Sequence, residues 1–412
     1  VWVGFTEFTH VAPDPSERAG EDSFLFVQDG RLWRSSGQWI ADGDGPVPVG
    51  IARPCGAPTA LTMTGEGTAL VFPPLNCAAA PDPNDIECNP DADAPEARSY
   101  LVTHVTACHE ESAPSDPSNV VDVRNGDAVA LLDNSTPPAH AVASRWYRAV
   151  ATSEGLGVWL FVAEVPIGQA GFVDDVPALA LGEVLVTEDH YPPPDCLDGV
   201  AVLGNQMSVV WSGDQFWLSE PRLPHAYPPL WRKRVRFPVL SILGAAAQIE
   251  GSETYLGYVV TTGTPYFLSG AVPEEVTPRE YSVWEPGASR HCAAGMEGGI
   301  IYASTQGLIA LSGSNVASVL NTESTDIEWQ QFDPAGLRLA YWGGRVWGFA
   351  PRRAFVLPLS NYRQDRGRYL ALLTPRADAV FAGPDAPLTL AVAGENGVRL
   401  QQWGAGTGVL RS

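Results

Sequence analysis

The sequence predicts an all-β protein: a propeller-like array of short antiparallel blades with a β-sandwich inserted among them. Three observations carry this expectation. Glycine (41) and proline (36) are abundant among 412 residues and follow no repeat period, which suits many short strands and turns. Long apolar runs at helical spacing are nearly absent. Units of strand, glycine-containing turn and strand recur every roughly 35 to 50 residues, the period of a propeller blade. A flatter body of several sheets is the alternative that the same spacing allows. The length exceeds what one core usually covers, so several domains are expected. We assign 1–56 to the first propeller strands, 57–180 to the sandwich insert and 181–412 to the remaining blades.

Residues 1–56 open with a strand-like stretch, Val1 to Phe5, and a polar break from His10 to Asp22. Ser23 to Arg34 then reads as a hairpin, two apolar strands around Asp29-Gly30, a pair that tolerates positive φ. The chain begins at Val1 rather than Met, so further residues are expected upstream, and no signal peptide or 18-residue apolar run is read.

From Ala57 the texture changes. Thr59 to Phe72 gives two short strands around Gly65-Glu66-Gly67, and 76–97 is a loop rich in Asp, Pro and Ala. Its carboxylates (Asp82, Asp85, Glu87, Asp91, Asp93) are interrupted by prolines and lack the EF-hand order, so a solvated acidic loop is favoured over a Ca²⁺ site. Strands follow at Tyr100–Ala107, Arg145–Ala149 and Val158–Val165, and Phe172–Asp175 closes the region. Tyr100 to Ser115, with its Glu111-Ser112-Ala113-Pro114-Ser115 exit, resembles a strand of the fibronectin type III family, with His109 where that family carries Gly. The resemblance implies an immunoglobulin-like sandwich. In a simple type III module the Trp146-Tyr147-Arg148 strand precedes that exit. Here the order is reversed, which leaves a variant sandwich or two partial modules.

Beyond 180 the array is organised around Leu197–Trp231. Its first half alternates apolar and small residues around Gly204-Asn205 and Gly213-Asp214, as in a blade. Its second half, Ser219 to Pro228, is stiffened by Pro221, Pro224 and Pro228, which exclude helix. Strand–turn–strand units then recur at Tyr255–Leu268, Gly298–Leu311, Leu337–Phe349 and Leu388–Leu400. A propeller closes its ring often by pairing first and last strands in one blade.

The run Trp217-Leu218-Ser219-Glu220-Pro221 followed by Pro224-His225-Ala226-Tyr227-Pro228 resembles a recurrent segment of tail proteins of tailed bacteriophages, and the family we name is the nozzle, or tail-tube end, of short-tailed phages. Ile301–Leu308 and Val259–Gly270 also resemble blades of that family. The resemblance implies a virion structural protein forming a homo-oligomeric ring, a hexamer favoured, below the portal and adaptor. It would continue the DNA-ejection conduit, let DNA pass through its lumen without specific binding, and dock the tail adaptor and fibre proteins. As subunit-interface residues we select Glu220, Pro221, Arg222, Pro224, His225 and Tyr227, and the basic cluster Arg232, Lys233, Arg234 and Arg236.

Composition limits the chemistry. A net charge of −22 argues against general nucleic-acid binding, because phosphate neutralisation needs a basic surface. The same acidity suits a lumen that DNA slides through, or simple solubility. Six cysteines are too few for a disulfide scaffold. Cys77 and Cys88 share one loop and could pair, whereas Cys55, Cys108, Cys196 and Cys292 read as small buried hydrophobes. The seven histidines are isolated in sequence, with His190 expected on the surface and His104 and His109 on opposite faces of one strand. No nucleophile elbow, phosphate-binding loop or metal-ligand spacing occurs. We therefore select no catalytic, cofactor or metal residue and read the chain as no enzyme and without membrane partner. A glycan- or receptor-binding propeller is the alternative function. A polysaccharide depolymerase would need a carboxylate pair that no spacing indicates.

Overall fold

The computed structural model describes residues 10–16, 23–63, 96–123, 127–151, 157–169, 171–250, 253–313, 315–320, 329–350, 353–359, 371–373, 377–382, 387–394, 397–403 and 410–411. The expected Val1–Phe5 strand, the second strand after Gly65, residues 76–95 of the acidic loop, Cys77 and Cys88 lie outside them. Two compact units divide the chain: one of Val1–Val49 with Pro193–Ser412, the other of Gly50–Pro192.

The first unit is a propeller-like series of four-stranded antiparallel sheets, six among the described residues. Sheet 1 comprises β1 (Val11–Pro13), β2 (Ser23–Gln28), β3 (Arg31–Ser36) and β4 (Val47–Pro48). Asp29 (φ 52°) and Gly30 (φ 74°) join β2 to β3, so both turn positions take the left-handed backbone for which Asp-Gly is suited. One short helix that the spacing does not predict, α1 (Gly37–Asp42), follows β3. Ser36 caps it, its hydroxyl accepting from the Trp39 N–H at 3.1 Å, and Gly43 ends it at φ 84°.

Within the second unit lie β5 (Thr59–Met63), β6 (Glu96–Arg98), β7 (Tyr100–Thr106), β8 (Val121–Val123), β9 (Ala128–Leu132), β10 (Ala141–Ala151), β11 (Gly157–Pro166) and β12 (Phe172–Asp174). They form a sheet ordered β11-β10-β7, another ordered β12-β9-β5, and a small β6-β8 ribbon. Ala60, Val129 and Leu131 of one three-stranded sheet share a core with Tyr100, Val102, Trp146, Val162 and Val165 of the other, which is sandwich packing.

The free edge of β7 is covered in an unusual way. Ser112, Ser115 and Ser118 each send their N–H to the carbonyls of His104, Val102 and Tyr100, at 3.0, 2.9 and 2.9 Å. Their hydroxyls accept in return from the N–H groups of the same three residues, at 3.0, 3.1 and 2.9 Å. Three residues of this segment therefore span two of β7, and side-chain oxygens replace the carbonyls of a regular ladder. Pro114 and Pro117 fall between the serines, at positions from which the pairing with β7 draws no N–H.

The first unit resumes with sheet 2, β13 (Gly199–Val202), β14 (Met207–Ser212), β15 (Gln215–Pro221) and β16 (Lys233–Arg234). Sheet 3 is β17 (Val239–Glu250), β18 (Glu253–Thr261), β19 (Tyr266–Ser269) and β20 (Thr277–Glu280). Sheet 4 is β21 (Ala293–Met296), β22 (Gly299–Ala303), β23 (Leu308–Ser312) and β24 (Asn315–Leu320). Sheet 5 is β25 (Arg338–Trp342), β26 (Arg345–Phe349), β27 (Ala354–Pro358) and β28 (Ala371–Leu373), and sheet 6 is β29 (Ala379–Phe381), β30 (Leu388–Gly394), β31 (Gly397–Trp403) and β32 (Leu410–Arg411). Each sheet is continuous in sequence. Among the described residues first and last strands do not share a blade: β1–β4 and β29–β32 each make a four-stranded sheet of their own.

First strands lie side by side along the series: β1 with β13, β13 with β17, β17 with β21, β21 with β25 and β25 with β29. Some middle strands are buried on both faces because sheets flank them. All five residues of β22 and all four of β19 are buried. Tyr258 of sheet 3 and Tyr281, just after it, both bond Gly313 in the last turn of sheet 4: the Tyr258 oxygen accepts from the Gly313 N–H at 2.8 Å, and the Tyr281 hydroxyl donates to its carbonyl.

Several expectations about burial are corrected. His190 is buried, 7% exposed, because its carbonyl accepts from Ala113 (2.9 Å) and its N–H closes a turn on Thr187 (3.1 Å). Cys55 and Cys196 are exposed and Cys108 is half-buried. Only Cys292 sits in the interior as expected, its thiol pushed up by burial.

Candidate functional site

The segment after β15 is held from both ends. The Glu220 N–H bonds the Ala226 carbonyl at 2.9 Å, and Leu223 and Ala226 close successive turns on Glu220 and Leu223 at 3.1 and 3.0 Å. Arg222 takes a left-handed backbone (φ 62°), and its N–H and guanidinium reach the carbonyl and side chain of Gln206 at 3.0 and 2.7 Å. The Tyr227 hydroxyl meets Ser208 Oγ at 2.8 Å in the interior. Of the ten selected interface residues, Pro224 and Tyr227 are therefore buried within the chain and support the loop, while Glu220, Lys233 and His225 are half-buried. Pro221, Arg222, Arg232, Arg234 and Arg236 are exposed.

The basic cluster is partly neutralised. Arg234 pairs with Asp214 at 2.7 Å, and the Lys233 ammonium lies 3.5 Å from the Glu274 carbonyl. Arg232 and Arg236 make no ion pair among the described residues. The Arg236 guanidinium sits 5.1 Å from the centre of the Phe237 ring. Trp284, which sequence reading did not select, packs edge-on against Phe237 with centroids 5.1 Å apart and remains 62% exposed.

A second cluster gathers at the starts of first strands. His10 precedes β1, Asp198 precedes β13, and Arg290 and His291 precede β21. His10 stacks on His291 (5.1 Å, 28°) and meets the Trp211 indole edge-on at 5.0 Å. Arg290 pairs with Asp198 at 2.7 Å. Sheets pack about 10 Å apart, so a straight series would hold the starts of sheets 1 and 4 about 30 Å from one another. Contact between them requires the series to curl, which favours blades over the flatter alternative. His10 Nε2 and Trp211 Nε1 are buried without hydrogen-bond partners among the described residues. Burial, with the nearby His291 and Arg290, pushes His10 down to about 3, against the opposing pull of Asp198. The histidines are thus not all isolated, and the one signal for this pair was its position just ahead of two first strands.

In the second unit, polar networks read as structural. Glu111 accepts from Thr103 (2.6 Å), Tyr147 (2.7 Å) and Arg145 (3.0 Å). Asp174 accepts from the Tyr100 hydroxyl (2.8 Å) and from Arg148 (2.9 Å), both side chains of the ion pair being fully buried. Burial and the Asp174 and Glu111 carboxylates push the Tyr100 and Tyr147 phenols above their ordinary range. His104 Nε2 lies 3.2 Å from Asp133 and 3.3 Å from Ser135 Oγ. This is no catalytic triad, because both partners meet the same nitrogen while Nδ1 is buried and has no partner among the described residues. Burial tends to raise Asp133, but hydrogen bonds from His104 and Ser135 outweigh it and hold the carboxyl below its ordinary value.

Among the described residues no group of three His, Cys, Asp or Glu is placed to hold a metal, and no helix is long and apolar enough to cross a membrane.

No protein-family model and no curated protein matches the chain. Among solved structures it is similar to the AfRom2 CNH domain (10% identity, TM-score 0.34, covering 64% of this chain and 82% of that one). It is also similar to BBS1N, solved in complex with ARL6DN (10%, 0.31, 70% and 87%). A third is PorZ, a surface component of the type-IX secretion system of Porphyromonas gingivalis (13%, 0.30, 70% and 36%). Likenesses this distant carry no functional content.

Proposed function

We propose that the chain is a structural subunit of a short-tailed phage tail nozzle, assembling as a homo-oligomeric ring that forms part of the DNA-ejection conduit. The observation that carries this reading is the segment 217–236. The stretch resembling phage tail proteins runs from β15 into its turns, and the basic cluster that follows it presents exposed Arg232 and Arg236 beside the edge strand β16, in a chain of net charge −22. Such an edge suits docking to a neighbouring acidic subunit. The conduit belongs to the ring of subunits, because the starts of the first strands within one subunit are crossed by the His10–His291 stack. The 50–192 unit fits a type III-like insert: its two sheets share a core, and His109 adopts φ 59° where that family carries Gly. Native mass spectrometry of the purified chain tests the reading. Closed rings are expected, and a monomer at every concentration would contradict it.

A glycan- or receptor-binding module is the second reading, favoured by the exposed Trp284 face, a surface on which a sugar ring can stack. Glycan-array binding abolished by Trp284→Ala, from a monomeric chain, would establish it in place of the first.

A further inference from the structure

We infer that Arg236, Phe237 and Trp284 form one half of a head-to-tail joint between copies of this chain; this rests on the ring reading and names its contact. Phe237 is fixed in place, because its ring lies over Gly263, where a Cβ would collide with it. Trp284 stands edge-on to Phe237 and Arg236 lies 5.1 Å from the Phe237 ring centre. The three side chains come from the connections flanking sheet 3, between β16 and β17 and between β20 and β21. Arg and Trp are the residue types that most often dominate binding energy when buried at an interface. The patch is set before any partner arrives, so little ordering is lost on docking.

Charge selects the occupant and the symmetry. The chain carries 47 acidic and 25 basic residues, so a second copy offers carboxylates over much of its surface. Across a two-fold axis through this patch, Arg236 would face Arg236 of the other copy, and like charges repel. Arginine against a distant acidic patch of the next copy is favourable. Such a contact is heterologous, and repetition of it closes a ring when the rotation allows.

Mass photometry of the wild-type chain and of Arg236→Glu and Trp284→Ala, at low and high salt, tests the joint. Both substitutions fall on exposed side chains, and unchanged thermal melting checks that each variant folds. Wild-type rings that weaken with salt, with each variant at least tenfold weaker in association, are the expected result. Rings that persist undiminished in both variants would overturn the joint while leaving the ring reading intact. Wild-type assembly that stops at dimers would overturn head-to-tail association. A wild-type chain that is monomeric throughout would overturn the joint and the ring reading together.

Discussion

His10 and His291 stack with ring centroids 5.1 Å apart, joining the approaches to the first strands of sheets 1 and 4. Neither residue is near the other in sequence, and the contact exists only because the intervening sheets curl. The Arg290–Asp198 ion pair beside it spans sheets 4 and 2 in the same way. These side chains tie the array across its middle as well as along its series of neighbouring strands.

That tie is sensitive to acid. His10 is held near 3 in the fold against 6.5 in the unfolded chain, so the unfolded chain takes up the proton first as pH falls. Its stabilising contribution is complete above about pH 6.5 and is lost between there and about pH 3. Within that window this one group adds a slope of up to about 1.4 kcal/mol per pH unit. Urea unfolding of wild type and His10→Phe from pH 7 to pH 4 should show a shallower decline in the variant. Parallel curves would remove His10 from the account.

The serine ladder on β7 predicts a specific cost. Ser115 is buried, and its hydroxyl is the partner of the Val102 N–H at 3.1 Å. Ser115→Ala leaves that buried donor unpaired and should destabilise by about 1–3 kcal/mol. Denaturant midpoints measure it, with amide exchange at Val102 expected to accelerate.

Asp174 is the counter-charge of Arg148, both fully buried. Asp174→Ala strands the guanidinium and should cost about 3–5 kcal/mol, whereas replacing both residues with apolar ones of similar volume should cost far less. A double-mutant cycle by calorimetry separates the two outcomes.

His109 is exposed with φ 59°, a conformation that costs a side-chain-bearing residue about 1–2 kcal/mol. His109→Gly should relieve part of that, offset by the greater freedom of Gly in the unfolded chain, for a net gain of up to about 1 kcal/mol. A lower melting temperature in the variant would contradict the strain.

Much of the architecture was legible because it is local. Asp29-Gly30, Gly213-Asp214 and Gly343-Gly344 announce their hairpins through backbone freedom, and strand spacing gives the period. Burial was less legible because it depends on what the rest of the chain covers. Cys55 and Cys196 have the composition of core residues and lie outside, whereas His190, beside three prolines, lies inside. Of the selected interface, the turn chemistry of 219–228 was readable. Trp284 was not, since its partner Phe237 lies across a whole sheet in sequence and thirteen tryptophans read more simply as core.

The central claim is that this chain forms a ring around a conduit. Electron-microscopy class averages of the assembled particle, with the chain tagged at Ser412, test it most directly. The account predicts a closed ring of tags about the tail axis. Tags scattered on fibres, or a chain recovered only as a free monomer, would contradict it.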